Sequence, residues 1–163
     1  MKKLKPIDYR LLSELLKNSN RSDRELAKAL RTSQPTVTRS RNRLVKEGMI
    51  KDFTIIPDFL EMGFEIIAIT CFKARPSKEV AEKAVKVTML DPKIIFAARA
   101  DGMGKNAVMI SLHKNYSDFS NFIAKLMLEH GKDVEDHDAM LISLAGFIAK
   151  PFSLRYITEQ IEK

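Results

Sequence analysis

Two helix starts lie eleven positions apart in this chain, at Ser22 and Ser33, and no other feature limits the fold as much. Ser22-Asp23-Arg24-Glu25 is a capping box, in which hydroxyl and carboxylate reciprocally satisfy the free amides of a first helical turn. Ser33 is the next N-cap, with Pro35 in the first turn, where its missing N–H costs nothing. Between them fits only a short helix burying Leu26, Ala27 and Leu30, then a tight turn at Arg31-Thr32. Upstream, Leu11, Leu12, Leu15 and Leu16 recur at helical spacing, with Asp8 near that helix's start, until Asn18-Ser19-Asn20 breaks it. The third helix runs to about Glu47, and Gly48 supplies its stop. Met49–Ile56 then alternates loosely, as a strand pair or wing would, and ends at Pro57.

Charge follows this division. Residues 1–57 hold 14 basic and 6 acidic side chains, a net of +8, and residues 58–163 hold 14 and 15, a net of −1. A short helix, a tight turn and a basic following helix are the parts of a helix-turn-helix, whose second helix carries polar and cationic groups into the DNA major groove. On the third helix Val37, Leu44 and Val45 are expected to face inward. Gln34, Thr38 and Asn42 fall at i, i+4 and i+8 as an outer stripe, Arg39 and Arg43 flank it, and Lys46 extends it. Gln and Asn bond adenine edges, and Arg suits guanine or phosphate. Ser33 and Thr36, at the start of that helix, join the candidate DNA contacts. Arg21 and Ser22 before the second helix, and Lys51 in the wing, are placed for phosphates.

After the connector 58–63 the pattern changes. Strand-like runs are expected at Phe64–Lys73, Lys93–Ala100, Asn106–Leu112 and Ala139–Ile148, and helices at Ser77–Leu90, Ser117–His130 and Ser153–Glu162. Gly131–Asp138 reads as a polar connection. The order is β-α-β-β-α-β, the ferredoxin-like arrangement: a four-stranded antiparallel sheet with both helices on one face. The other face is left bare and apolar, which points to pairing with a second copy. The fold class is therefore α+β, a winged helix-turn-helix over 1–57 followed by a ferredoxin-like domain over 58–163.

Other classes drop out. The longest apolar run, Ile94–Ala98, is far short of the roughly 18 residues of a membrane span. The lone Cys71 excludes an internal disulfide and a cysteine-based zinc site, and reads as a small core residue. His113, His130 and His137 share no ligand spacing. Asp133, Glu135, Asp136, His137 and Asp138 read as a solvated loop. No nucleophilic triad, metal or cofactor is expected, and the location implied is cytoplasmic.

Asp8-x-x-Leu11-Leu12-x-x-Leu15, Asn18, Arg21, Glu25-Leu26-Ala27, Ser33-x-x-x-Val37, Leu44 and Glu47-Gly48-Met49-Ile50 resemble the N-terminal domain of the leucine-responsive regulatory protein (Lrp/AsnC) family. The β-α-β-β-α-β remainder is similar to that family's ligand-sensing domain. The resemblance implies a transcriptional regulator that binds double-stranded DNA as a homodimer or a larger assembly such as an octamer, and responds to amino acids or other small metabolites. It also turns attention to the hairpin Asp101, Gly102, Met103, Gly104, Lys105 and Asn106 as an effector loop. Two departures stand out. Arg41 sits where the family more often has an aliphatic residue, and Lys105 or Asn106 stands where the family tends to place a carboxylate, which tilts the loop toward anionic ligands. Two rivals stay open at this point: an enzyme of the same two-domain architecture, akin to tetrapyrrole-processing decarboxylases, and a non-specific architectural DNA-binding protein. The first should show an eroded, non-basic third helix, and this sequence shows the opposite.

Overall fold

A computed structural model of the chain describes residues 4–161. The chain divides into two units: one runs to Ile56 and takes in the stretch from Lys150 onward, and the other spans Pro57–Ala149.

The first unit begins with α1 (Pro6–Lys17), α2 (Asp23–Leu30) and α3 (Gln34–Lys46). Each start has a local cause. Pro6 opens α1, and the Asp8 carboxylate turns back to accept the Lys5 amide at 2.7 Å. Ser22 and Glu25 form the capping box before α2, and Ser33 caps α3. Leu11, Leu26, Val37 and Leu44 are wholly buried at the centre, with Leu15, Ala27 and Leu30 around them. Each buried Val or Leu side chain contributes about 1.5–3 kcal/mol. α3 stops where Gly48 adopts φ 71°, a conformation open to glycine at little cost.

Two expectations for this unit need correction. Met49–Ile56 forms no strand among the described residues. A two-stranded ribbon with no third strand or helix to cover it is marginal in water, and here Phe53, Ile55 and Ile56 are exposed. The last residues do not belong to the ferredoxin-like domain over 58–163. A 3₁₀ turn, Leu154–Ile157, leads into α6 (Thr158–Ile161), and both pack on α1. Of the terminal helix expected over Ser153–Glu162, Glu162 lies outside the described residues.

The second unit contains β1 (Ile66–Ala74), α4 (Lys78–Leu90), β2 (Ile94–Gly102), β3 (Lys105–His113), α5 (Tyr116–His130), a 3₁₀ turn Gly131–Asp133 and β4 (Val134–Ser143). The strands form one sheet in the order β2-β3-β1-β4, each pair antiparallel, as the ferredoxin-like order requires. A two-residue turn joins β2 to β3, with Met103 and Gly104 both at positive φ, the conformation whose twist matches a tight hairpin. Alternation along β1 fixes the faces. Ala68, Thr70 and Phe72 are buried, and Phe72 packs with Met109 against Phe122 of α5. The opposite face carries an apolar row across all four strands, Phe96–Ile110–Ile69–Met140, in register neighbour to neighbour. Phe96 is 51% and Met140 68% exposed.

β4 corrects another expectation: it is Val134–Ser143, not Ala139–Ile148. The acidic stretch read as a loop supplies its first half. Carboxylates are tolerated because β4 is an edge strand, and cations of its neighbours meet them. Lys73 lies 3.0 Å from Glu135 and Lys105 2.8 Å from Asp138. Among the described residues no helix is long and apolar enough to cross a membrane, and no three His, Cys, Asp or Glu gather as metal ligands. Cys71 is half-buried on the open sheet face.

His113, on β3, is wholly buried, with its Nε2 2.8 Å from the Ser111 hydroxyl and its ring against Phe119 and Phe122. Burial lowers its pKa from the ordinary 6.5, outweighing the pull of Asp118. The unfolded chain therefore takes up a proton that the folded site resists, so stability is full above about pH 6.5 and is lost as pH falls from there toward the lowered folded value. Urea unfolding followed from pH 7.5 to 5 should show this decline, and His113→Phe should flatten it. An unchanged slope in that variant would place the pH dependence elsewhere.

Candidate nucleic-acid interface

Beside the shared apolar core, one acidic side chain braces α2 against α3. Asp23, in the first turn of α2, accepts a hydrogen bond from the Thr38 hydroxyl at 2.6 Å and pairs with Arg41 Nη2 at 3.0 Å. Arg41 also donates to the Arg21 carbonyl at 3.1 Å, and its guanidinium stands 5.9 Å from the Phe53 ring centre. The arginine at an expected aliphatic position thus replaces apolar packing with a polar brace. A second brace joins α3 to α1 through the ion pair between Arg43 and the wholly buried Asp8. This contact raises the arginine's pKa. A third runs from Arg10 to the Leu30 carbonyl at 3.0 Å. Together they fix the crossing of α2 and α3.

The braces sort the candidate DNA contacts. Gln34, Arg39, Asn42 and Lys46 are exposed, and at 3.6 residues per turn they share an arc of roughly 140°. Arg39 donates from Nε to the Pro35 carbonyl at 3.2 Å, within its own helix. Thr38 and Arg43, expected to point outward, are committed internally. Val45, expected inside, is 45% exposed, because it follows Leu44 by 100° around the helix. Ser33 and Thr36 bond each other at 2.8 Å and close the first turn of α3. Ser22 is engaged with Glu25, whose carboxylate accepts the Ser22 amide at 2.7 Å and hydroxyl at 2.6 Å. These bonds hold the Glu25 pKa below its ordinary value. Arg21 pairs with Glu14, which also takes Lys17 at 2.8 Å; the Lys17 hydrogen bond and then Arg21 lower the Glu14 pKa. Lys51 is exposed beyond α3.

Sequence reasoning missed Asp23 as a hub and Asp8 as the anchor of Arg43. The signal for Asp8 was a carboxylate one helical turn from Leu11 and Leu12, on the buried side of α1. Asp23 offered no such signal, since its role depends on how two helices cross.

The hairpin proposed as an effector loop is differently occupied. Asp101, Gly102, Met103 and Gly104 are exposed at its tip. The Asn106 amide donates to the Ala74 carbonyl at 2.7 Å and accepts the Ala74 amide at 2.8 Å, closing the end of β1. Lys105 reaches across β1 to Asp136 and Asp138 on β4. Those two hydrogen bonds raise the lysine's pKa, and the same contact lowers that of Asp136. Both side chains are thus engaged within the sheet.

Residues 4–51 match a family model described as winged helix-turn-helix DNA-binding. The chain is 31% identical over 143 residues, 88% of its length and 95% of the relative's, to the HTH-type transcriptional regulator PH0061 of Pyrococcus horikoshii. The crystal structure of PH0061 superposes with a TM-score of 0.80 at 28% identity, covering 94% of this chain and 99% of that one. Two other solved structures share the fold at low identity. The regulator NMB0573 of Neisseria meningitidis, in complex with L-Met, gives a TM-score of 0.81 at 16% identity, covering 93% of this chain and 94% of that one. AsnC of E. coli gives 0.73 at 13%, covering 93% and 99%. The chain belongs to the HTH-type transcriptional regulators, and its helix-turn-helix head and four-stranded second unit share the fold of the Lrp/AsnC structures.

Proposed function

We propose that this regulator reads a DNA sequence through Gln34, Arg39 and Asn42 in the major groove, with Lys46 and Lys51 on flanking phosphates. The observation that carries the reading is the exposed polar arc of α3, none of whose members bonds to another helix, held outward by braces that consume the neighbouring polar groups. Arg21, Ser22, Ser33 and Thr36 serve chiefly to shape and cap the two helices, and the backbone amides at their starts remain suited to phosphate. The action is binding in the cytoplasm, without catalysis. Selection of genomic fragments by the purified protein at physiological salt tests it: one enriched motif supports sequence reading, and uniform recovery supports an architectural role. Log affinity should fall linearly with log salt, and Lys51→Ala should lessen that slope by about 0.9 without altering the motif.

The protein acts as a homodimer through the open face of its sheet. The row Phe96–Ile110–Ile69–Met140 is too apolar to stay wet, and pairing two such faces presents two heads to a two-fold-related site. Ile69→Glu, at the centre of that row, places a charge on the buried interface. Light scattering should then report half the parental mass, with near-unchanged far-UV circular dichroism; an unaltered mass would remove this face from the assembly. A small-molecule effector, as the L-Met complex of NMB0573 suggests, would act by shifting head spacing or assembly.

A further inference from the structure

Packing around α4 is unfinished. Val80, Ala84 and Val87 line a space next to the sheet, and none of the helix's 13 residues is buried. Between α4, the sheet and α5 lies a cavity of about 730 Å³. The space is open to solvent on one side, and ligand pockets commonly fall between roughly 300 and 1,000 Å³. Its floor is formed by Phe72, Met109 and Leu126, members of the unit's core cluster. Its rim is cationic. Arg75 follows the end of β1, and Arg99, in register with Ala107, stands on the helix side of β2. Neither guanidinium makes a hydrogen bond or ion pair among the described residues. The other lining lysines are engaged, Lys83 with Glu79 at 2.8 Å and Asp133 at 3.5 Å, and Lys78 with Glu82 at 3.8 Å.

We propose that this cavity binds an organic monocarboxylate with an apolar body, its carboxylate held by Arg75 and Arg99 and its body lying on Phe72, Met109 and Leu126. A guanidinium's forked donors match a carboxylate's geometry. The one carboxylate among the lining residues, Asp133, already faces Lys83 at 3.5 Å, so a ligand's ammonium group finds no unpaired carboxylate there. Zwitterionic amino acids are therefore poor occupants. The proposal deepens the effector reading, and moves it from the hairpin tip to the space beneath α4.

Calorimetric titration of the full chain with octanoate, octan-1-ol and methionine tests it. The expected result is one saturable octanoate per chain, bound at least tenfold tighter than octan-1-ol, and no methionine uptake at the same concentrations. Arg75→Ala with Arg99→Ala should abolish the tenfold preference while leaving octan-1-ol unchanged. Ala84→Phe from the helix side and Ala107→Leu from the sheet side should each block both ligands by filling the space. Absence of octanoate binding, equal binding of the alcohol, methionine binding as tight as octanoate, or indifference to both filling substitutions would each overturn the proposal. Ligand-free DNA affinity, measured in parallel, is untouched by any of these outcomes. Its loss in the parent chain would instead overturn the reading of the α3 interface.

Discussion

Arg39→Ala combined with Asn42→Ala should weaken binding to the selected motif by roughly a hundredfold or more, since each lost base contact costs about 1–3 kcal/mol. Affinity for unrelated DNA should fall far less, so discrimination collapses. Because both side chains are exposed and make no bond to another helix, the thermal midpoint should stay within a degree or two. Thr38→Val and Arg43→Ala supply the contrast. They lie on the same helix, and by spacing alone belong with the contact stripe. Their partners are Asp23 and Asp8, so both changes should lower the melting temperature and leave the salt slope of DNA binding unaltered. A salt slope reduced by about one contact in Arg43→Ala, with unchanged melting, would return that arginine to the phosphate backbone.

That contrast shows where the sequence was legible. Ser22, Glu25, Ser33, Pro35 and Gly48 act through backbone groups a few residues away, so the starts and stops of α2 and α3 could be read locally. The fold class followed from periodicity, because sheet and helix faces must each bury an apolar side. Side chains acting across elements were not legible. Thr38 and Arg43 sit at surface angles on α3 and turn inward only because carboxylates from other helices wait there. The same cause hid the partners of Lys105 and Asn106, which are 31 and 32 residues away in sequence. The start of β4 was hidden because an edge strand tolerates Glu135, Asp136 and Asp138, the residue types that mark loops. The cavity beneath α4 left no signal, since Val80, Ala84 and Val87 have ordinary amphipathic spacing.

Asp8→Ala should be the most damaging single polar substitution in the helical unit, costing about 3 kcal/mol. The carboxylate is wholly buried, closes the first turn of α1 by accepting the Lys5 amide, and is the partner of Arg43. Its removal strands a guanidinium whose side chain is 31% exposed, which lets water return in part and keeps the loss below that of a fully buried pair. For a unit of this size the melting temperature should drop by roughly 12–24 °C. Asp8→Asn should cost less, because an amide oxygen still caps Lys5. Replacing both partners, Asp8→Leu with Arg43→Met, separates the charge pairing from the space it fills. Matched apolar groups in place of a buried ion pair are often neutral or stabilising, so this double variant should recover most of the lost stability and keep its DNA motif. A double variant no more stable than Asp8→Ala would mean that the cap on α1, and not the ion pair, carries the contribution of Asp8.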